Sequence, residues 1–122
     1  MRGNILIISW SMAYSLTLQK ILEREGFMTE ICPSLKDLAG ADKKFKYGAV
    51  FLDIDQYVVG GLSFIKGMKI LRPATRVILT SETNFSNRDL LKKAILHGVY
   101  AFLRKPFNEN KVLEVVAGLE IL

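Results

Sequence analysis

The sequence predicts a doubly wound α/β domain: a five-stranded parallel sheet with helices on both faces. Three observations point there. Short apolar runs rich in β-branched and aromatic residues alternate five times with segments of helical periodicity. No internal repeat, low-complexity stretch or linker interrupts the alternation, which demands right-handed crossovers and therefore a parallel sheet covered on both sides. The length of 122 residues, half of them hydrophobic and 24% charged, fits one domain over 1–122 with a core of its own.

Each element has its own justification. NILIIS (4–9) is the first strand. The segment at about 12–25 sets Leu18, Ile21, Leu22 and Glu25 at helical spacing and stops at Gly26, a suitable left-handed C-terminal residue. TEIC (29–32) is the second strand, and a short helix at about 35–41 follows, with Ser34 to cap it and Asp37 to return the bond. GAVFLD (48–53) leads to a helix at about 62–71 that buries Leu62, Ile65 and Met68 and ends before Pro73. TRVILT (75–80) leads to a helix opened by SNRD (86–89), which buries Leu90, Leu91, Ala94 and Ile95 and ends at Gly98. YAFL (100–103) is the last strand, and a helix at about 109–120 follows the cap Asn108 with Val112, Val115, Val116 and Leu119 on one face.

Charge and composition narrow the function classes. The net charge of +5 comes from 17 Lys and Arg against 12 Asp and Glu, but the bases are scattered. Only DKKFK (42–46) and DLLKKA (89–94) are locally dense, and neither interleaves the aromatics of a base-stacking platform, so no direct nucleic-acid binding is expected. The opening MRGNILIISW shows no signal-peptide pattern and no run of membrane length, which predicts a cytoplasmic chain without a membrane role. The single cysteine, Cys32, has no Cys or His at metal-ligand spacing and reads as a buried thiol. His97, near a helix end, reads as structural.

In an open parallel sheet, ligands sit beyond the C-terminal ends of the strands. Those ends carry Ser9 and Trp10, then Asp53 and Asp55, then Thr80, Ser81 and Glu82, then Lys105. An acid, a hydroxyl and a lysine at one crevice are the parts needed to pass a phosphoryl group to a carboxylate, which attacks while the other two hold the developing charge.

At these residues the sequence resembles the receiver domain of two-component response regulators, over essentially its whole length. The matching residues are Asp53 closing VFLD, Gly61 eight positions on, Thr80 closing VILT, and Lys105-Pro106 in GVYAFLRKPF. The resemblance implies a flavodoxin-like (βα)5 fold with strand order 2-1-3-4-5, as in the chemotaxis regulators. It implies that Asp53 is the phosphoacceptor, Thr80 the switch hydroxyl, Phe102 the switch aromatic, Lys105 the phosphate-binding cation and Lys105-Pro106 a cis bond. Bland alternatives stand beside these roles: Phe102 as plain core, Thr80 as a strand residue, Lys105 as a solvated lysine, Asp53 as a cap. A carboxylate ending an apolar run is nevertheless costly unless it has a partner.

Departures from the family pattern matter as much. Receivers usually follow the first strand with two adjacent acids that bind magnesium, whereas ILIISWS places Ser9 and Trp10 there. Asp53 and Asp55 are the remaining candidate ligands, so magnesium binding is expected to be weak or absent. Asp55 either reaches the crevice or is a solvated loop acid, and Trp10 either roofs the vacated pocket or joins a partner surface. Tyr57 replaces the family's proline.

Two readings follow. The favoured one is a pseudo-receiver, a protein-interaction module rather than an enzyme; the alternative is a working phospho-receiver served by a histidine kinase. Partners are a signalling protein, either that kinase or an effector domain, with the chain itself a monomer or weak homodimer. Arg88, Lys92, Lys93, Tyr100, Arg104 and Lys111 are placed on the partner face. VFLDIDQY also resembles the Asp-x-Asp motif of haloacid-dehalogenase-like phosphatases, but it falls late in the chain and lacks the downstream acidic pair. The ending VAGLEIL leaves open whether these residues are cut from a longer protein.

Overall fold

The computed structural model describes residues 2–34, 46–55, 58–82 and 88–119. The strands are β1 (Asn4–Ile8), β2 (Met28–Cys32), β3 (Ala49–Asp53), β4 (Arg76–Ser81) and β5 (Ala101–Arg104), all parallel, in the order β2-β1-β3-β4-β5. The helices among the described residues are α1 (Met12–Arg24), α2 (Val58–Leu71), α3 (Arg88–Leu96) and α4 (Glu109–Ala117).

Alternation along the strands divides the core in two. On one face Ile5, Ile7, Ala49, Phe51, Ile78 and Leu103 pack with Leu18, Ile21 and Leu22 of α1 and Val112 and Val116 of α4. On the other, Leu6, Ile8, Val50, Leu52, Val77 and Leu79 pack with Ile65 and Met68 of α2 and Ala94 of α3. β3 is buried along its whole length because it lies mid-sheet beneath helices on both sides, which is why AVFLD reads as a continuous apolar run.

The Asn108 cap agrees with the sequence: it accepts from the Lys111 amide at 2.8 Å at the start of α4. At the start of α1, where no cap was expected, Ser11 accepts from the Tyr14 amide. Gly26 and Gly98 take φ of +92° and +84°, the left-handed backbone that lets the chain turn from helix toward strand. The expected helix at 35–41 and the Ser86 cap lie outside the described residues.

Three expectations need correction. α2 starts at Val58, one turn before position 62, because a β-branched pair followed by Gly60 and Gly61 carries weak helix propensity and hid the first turn. Ile95 is 57% exposed: α3 turns its narrow buried stripe through Ala94, and the adjacent position rotates out to solvent. Tyr100 is half-buried against the core, with the Arg76 guanidinium 5.2 Å from its ring centroid and its hydroxyl against Gly118, so it is no free interface anchor.

Chemical denaturation checks this placement. Ile95→Ser is expected to change stability by less than about 0.5 kcal/mol, whereas Leu22→Ala, at a site with no exposure, costs about 2–5 kcal/mol.

Candidate functional site

The same alternation that builds the core builds the site. Continuing the series Ile5, Ile7; Ala49, Phe51; Ile78; and Leu103 by two residues reaches Ser9, Asp53, Thr80 and Lys105. All four are buried at the C-terminal end of the sheet: Ser9 5%, Asp53 2%, Thr80 4% and Lys105 4% exposed. Asp53 and Thr80 are partners in the β3–β4 register. Lys105 is therefore no solvated lysine.

The polar contacts are dense. Lys105 Nζ lies 2.8 Å from Asp53 Oδ2 and 3.2 Å from Asp55 Oδ2. The Ser9 hydroxyl donates to the same Asp53 Oδ2 at 2.8 Å, and the Asp55 amide donates to Asp53 Oδ1 at 3.1 Å. Asp55 reaches into the crevice rather than standing as a solvated loop acid. The Ser81 hydroxyl donates to its Oδ1, and the Glu82 amide donates to its Oδ2 at 2.8 Å. Its side chain is 28% exposed, so it forms the rim while Asp53 forms the floor.

Electrostatics follow from these contacts. Burial alone would raise the Asp55 carboxyl, but the bonds from Ser81 and Glu82 and the Lys105 ammonium outweigh it and hold the group below its ordinary value. Burial alone would lower Lys105. The bond and charge of Asp53, then of Asp55, outweigh it and hold the ammonium above its ordinary value.

Tyr14 is the site residue the sequence reading missed. Its ring centroid lies 4.7 Å from Lys105 Nζ, Phe107 meets it edge-on at 5.7 Å and 67°, and its hydroxyl donates to Glu82 Oε1 at 3.4 Å. The usable signal was Ser11: a cap there puts Tyr14 on the first turn of a helix that starts at the strand ends. Beneath it a water-sized hollow is lined by Ser9, Tyr14, Ser15, Thr80 and Lys105, among others. Ser15 is buried, and its hydroxyl has no hydrogen-bond partner.

Two sequence candidates stand apart from this cluster. Phe102 has the opposite parity to Leu103 and packs half-buried against the α2/α3 side of the sheet, away from Thr80. Trp10 is 65% exposed and is not among the residues that line the hollow beside Asp53, where Ser9 stands. Lys105-Pro106 is cis. Tyr57 lies outside the described residues.

The model of the Response regulator receiver domain family matches residues 5–117, and the chain belongs to that family. Two proteins described as chemotaxis protein CheY are similar to it. The one from Treponema pallidum (strain Nichols) is 28% identical over 123 residues, which cover 95% of this chain and 81% of that protein. The one from Bacillus subtilis (strain 168) is 27% identical over 119 residues, covering 95% and 96%. Among solved structures, a response regulator from Thermotoga maritima superposes with a TM-score of 0.86 over 98% of both chains at 21% identity, a likeness of fold. This is a response-regulator receiver domain, the module of two-component signalling.

Two measurements follow from the geometry. By chemical denaturation, Lys105→Met is expected to cost about 3–5 kcal/mol, since it leaves buried carboxylate charge without a cation, and Asp53→Asn much less, since Asp55 still pairs the lysine. The pH dependence has two limbs. Asp55 is held low, so its stabilisation is present above the ordinary carboxylate pKa of about 4 and fades as acid takes the pH through the folded value. Lys105 is held high, so its stabilisation is present below about 10.4 and is lost as the pH rises through its folded value. Asp55→Asn should flatten the acid limb, and an unchanged limb would remove Asp55 from that role.

Proposed function

We propose that this receiver domain works as a protein-interaction module whose acceptor-position carboxylate, Asp53, is satisfied by the chain's own side chains instead of by magnesium and phosphate. One observation carries the reading: Ser9 Oγ and Lys105 Nζ converge on Asp53 Oδ2 at 2.8 Å each. Ser9 stands where receivers usually place the first of two acids, so a hydroxyl donor replaces an oxygen ligand.

Magnesium fits these residues poorly. It demands near-ideal octahedral geometry with hard oxygen ligands, and every oxygen of the candidate ligands Asp53 and Asp55 already accepts at least one bond, from the Ser9 and Ser81 hydroxyls, the Asp55 and Glu82 amides and the Lys105 ammonium. An ion between the two acids would share that space with the Lys105 ammonium.

A second reading is favoured by the same Asp53–Lys105 approach. There the domain accepts a phosphoryl group on Asp53 from a histidine kinase, Lys105 and the neighbouring Thr80 hold the phosphoryl oxygens, and Phe102 answers through β5. In both readings the domain is cytoplasmic, is not an enzyme and serves a signalling partner, a kinase or an effector domain. The exposed Lys92 and Lys93 of α3, Arg104 of β5 and Lys111 of α4 make the partner face basic. An acidic partner meets no like-charge barrier there, while self-association does, so the isolated domain is a monomer or weak dimer and its binding is salt-sensitive.

Intact-mass spectrometry after incubation with a small phosphodonor and magnesium separates the readings. The native chain is expected to keep its mass, and Ser9→Asp plus Trp10→Asp, which restores two oxygen ligands, to gain one phosphoryl group. A native chain that gained it on Asp53 would establish the second reading and end the first.

A further inference from the structure

We propose that Asp55 is an internal anion that ties the ends of β3, β4 and β5 together in the unmodified chain, so that the closed crevice does not depend on phosphorylation. This deepens the proposed function and rests on the reading of Asp53 as the former acceptor.

Asp55 draws donors from separate elements. The Ser81 hydroxyl and the Glu82 amide come from the end of β4, and the Lys105 ammonium follows β5. Asp55 itself sits in the turn after β3, anchored through its own amide to Asp53 Oδ1. One carboxylate thus ties three neighbouring strand ends. A solvated loop acid has no need of such an arrangement, and charge-assisted bonds of this kind are the stronger class.

Position argues the same way. Asp53 lies on the floor at 2% exposure, and Asp55 is above it at the rim with a side chain 28% exposed. A group attached to Asp53 and reaching toward solvent would meet the donors that Asp55 now occupies. The internal carboxylate offers one negative charge and two oxygens where a phosphoryl group would bring nearly two charges and three oxygens. Tyr14 extends the tie, since its ring covers Lys105 and its hydroxyl holds the Glu82 side chain. An incoming phosphoryl group would therefore have to displace Asp55 before it could use these donors.

The test is amide hydrogen exchange by NMR on the native chain, Asp55→Ala, Asp55→Asn and Asp53→Asn. The Glu82 amide is expected to exchange about tenfold or more faster in Asp55→Ala than in the native chain, as befits loss of a bond to a charged acceptor. Asp55→Asn, which keeps the shape and one acceptor oxygen, should fall between the two, and Asp53→Asn should leave Glu82 protected. Unchanged Glu82 exchange in Asp55→Ala, or equal loss of protection in Asp53→Asn, would overturn the proposal. Exchange at the β4 core amides, unmoved across the set, shows that each variant is folded. The exchange is read on the unmodified chain: a phosphoryl mass gained on incubation with a donor would refute the interaction-module reading and leave the Glu82 protection of the unmodified chain as measured.

Discussion

Lys105 brings its ammonium to 2.8 Å from Asp53 Oδ2 at a place where the lysine is 4% and the aspartate 2% exposed, and the buried carboxylate is costly there without that cation. Burying an ion costs several kcal/mol even after relaxation, on the order of what a small domain has to spare in total. The arrangement persists because the remaining lone pairs and protons are satisfied. Ser9 and the Asp55 amide complete Asp53, and Asp55 and the Tyr14 ring complete Lys105. The backbone places the charged groups side by side, through the Asp53–Thr80 pairing and the Lys105 amide bond to the Ser81 carbonyl at 2.7 Å.

Sheet geometry explains how residues 44 and 52 positions apart come to share one oxygen atom. Side chains alternate with a period of two, so the face that buries Ile7, Phe51 and Leu103 continues into Ser9, Asp53 and Lys105 at the strand ends. Apolar along the strands, polar at their C-terminal ends: the transition occurs beneath the first turn of α1, where Tyr14 and Ser15 line the hollow beside Ser9, Thr80 and Lys105. The opposite face stays apolar through Leu79, Phe102 and Ile54 and turns polar only at Ser81 and Arg104, the last residues of β4 and β5.

That logic also sets what was legible in the sequence. Strand positions and order, the helix ends at Gly26 and Gly98, the Asn108 cap and the meeting of Asp53, Thr80 and Lys105 all follow from periodicity, turn chemistry and the family motif, which are local or nearly so. The site's finer wiring was not legible. Ser9 read as the loss of a ligand, whereas its hydroxyl is a donor to Asp53. Asp55 stood equally as a loop acid, because only the approach of β4 and β5 supplies Ser81, Glu82 and Lys105. Tyr14 was invisible for the same reason: its partners Lys105 and Phe107 lie more than ninety positions away. Ile95 misled because an apolar residue at helical spacing need not face the core.

Two carboxylates, Asp53 and Asp55, face the one ammonium of Lys105, and the Ser9 and Ser81 hydroxyls and the Asp55 and Glu82 amides supply the remaining donors. On the interaction-module reading, Asp53 is a structural acid and signalling rests on the domain's surfaces and on the strand-end ties. The most direct measurement of this claim is the NMR signal of the Lys105 ammonium nitrogen in the native chain, recorded with and without millimolar magnesium. The account predicts a slowly exchanging, hydrogen-bonded ammonium whose shift does not move when the metal is added. A saturable magnesium-dependent shift, or loss of that signal as the ion takes the lysine's place beside Asp53, would contradict it.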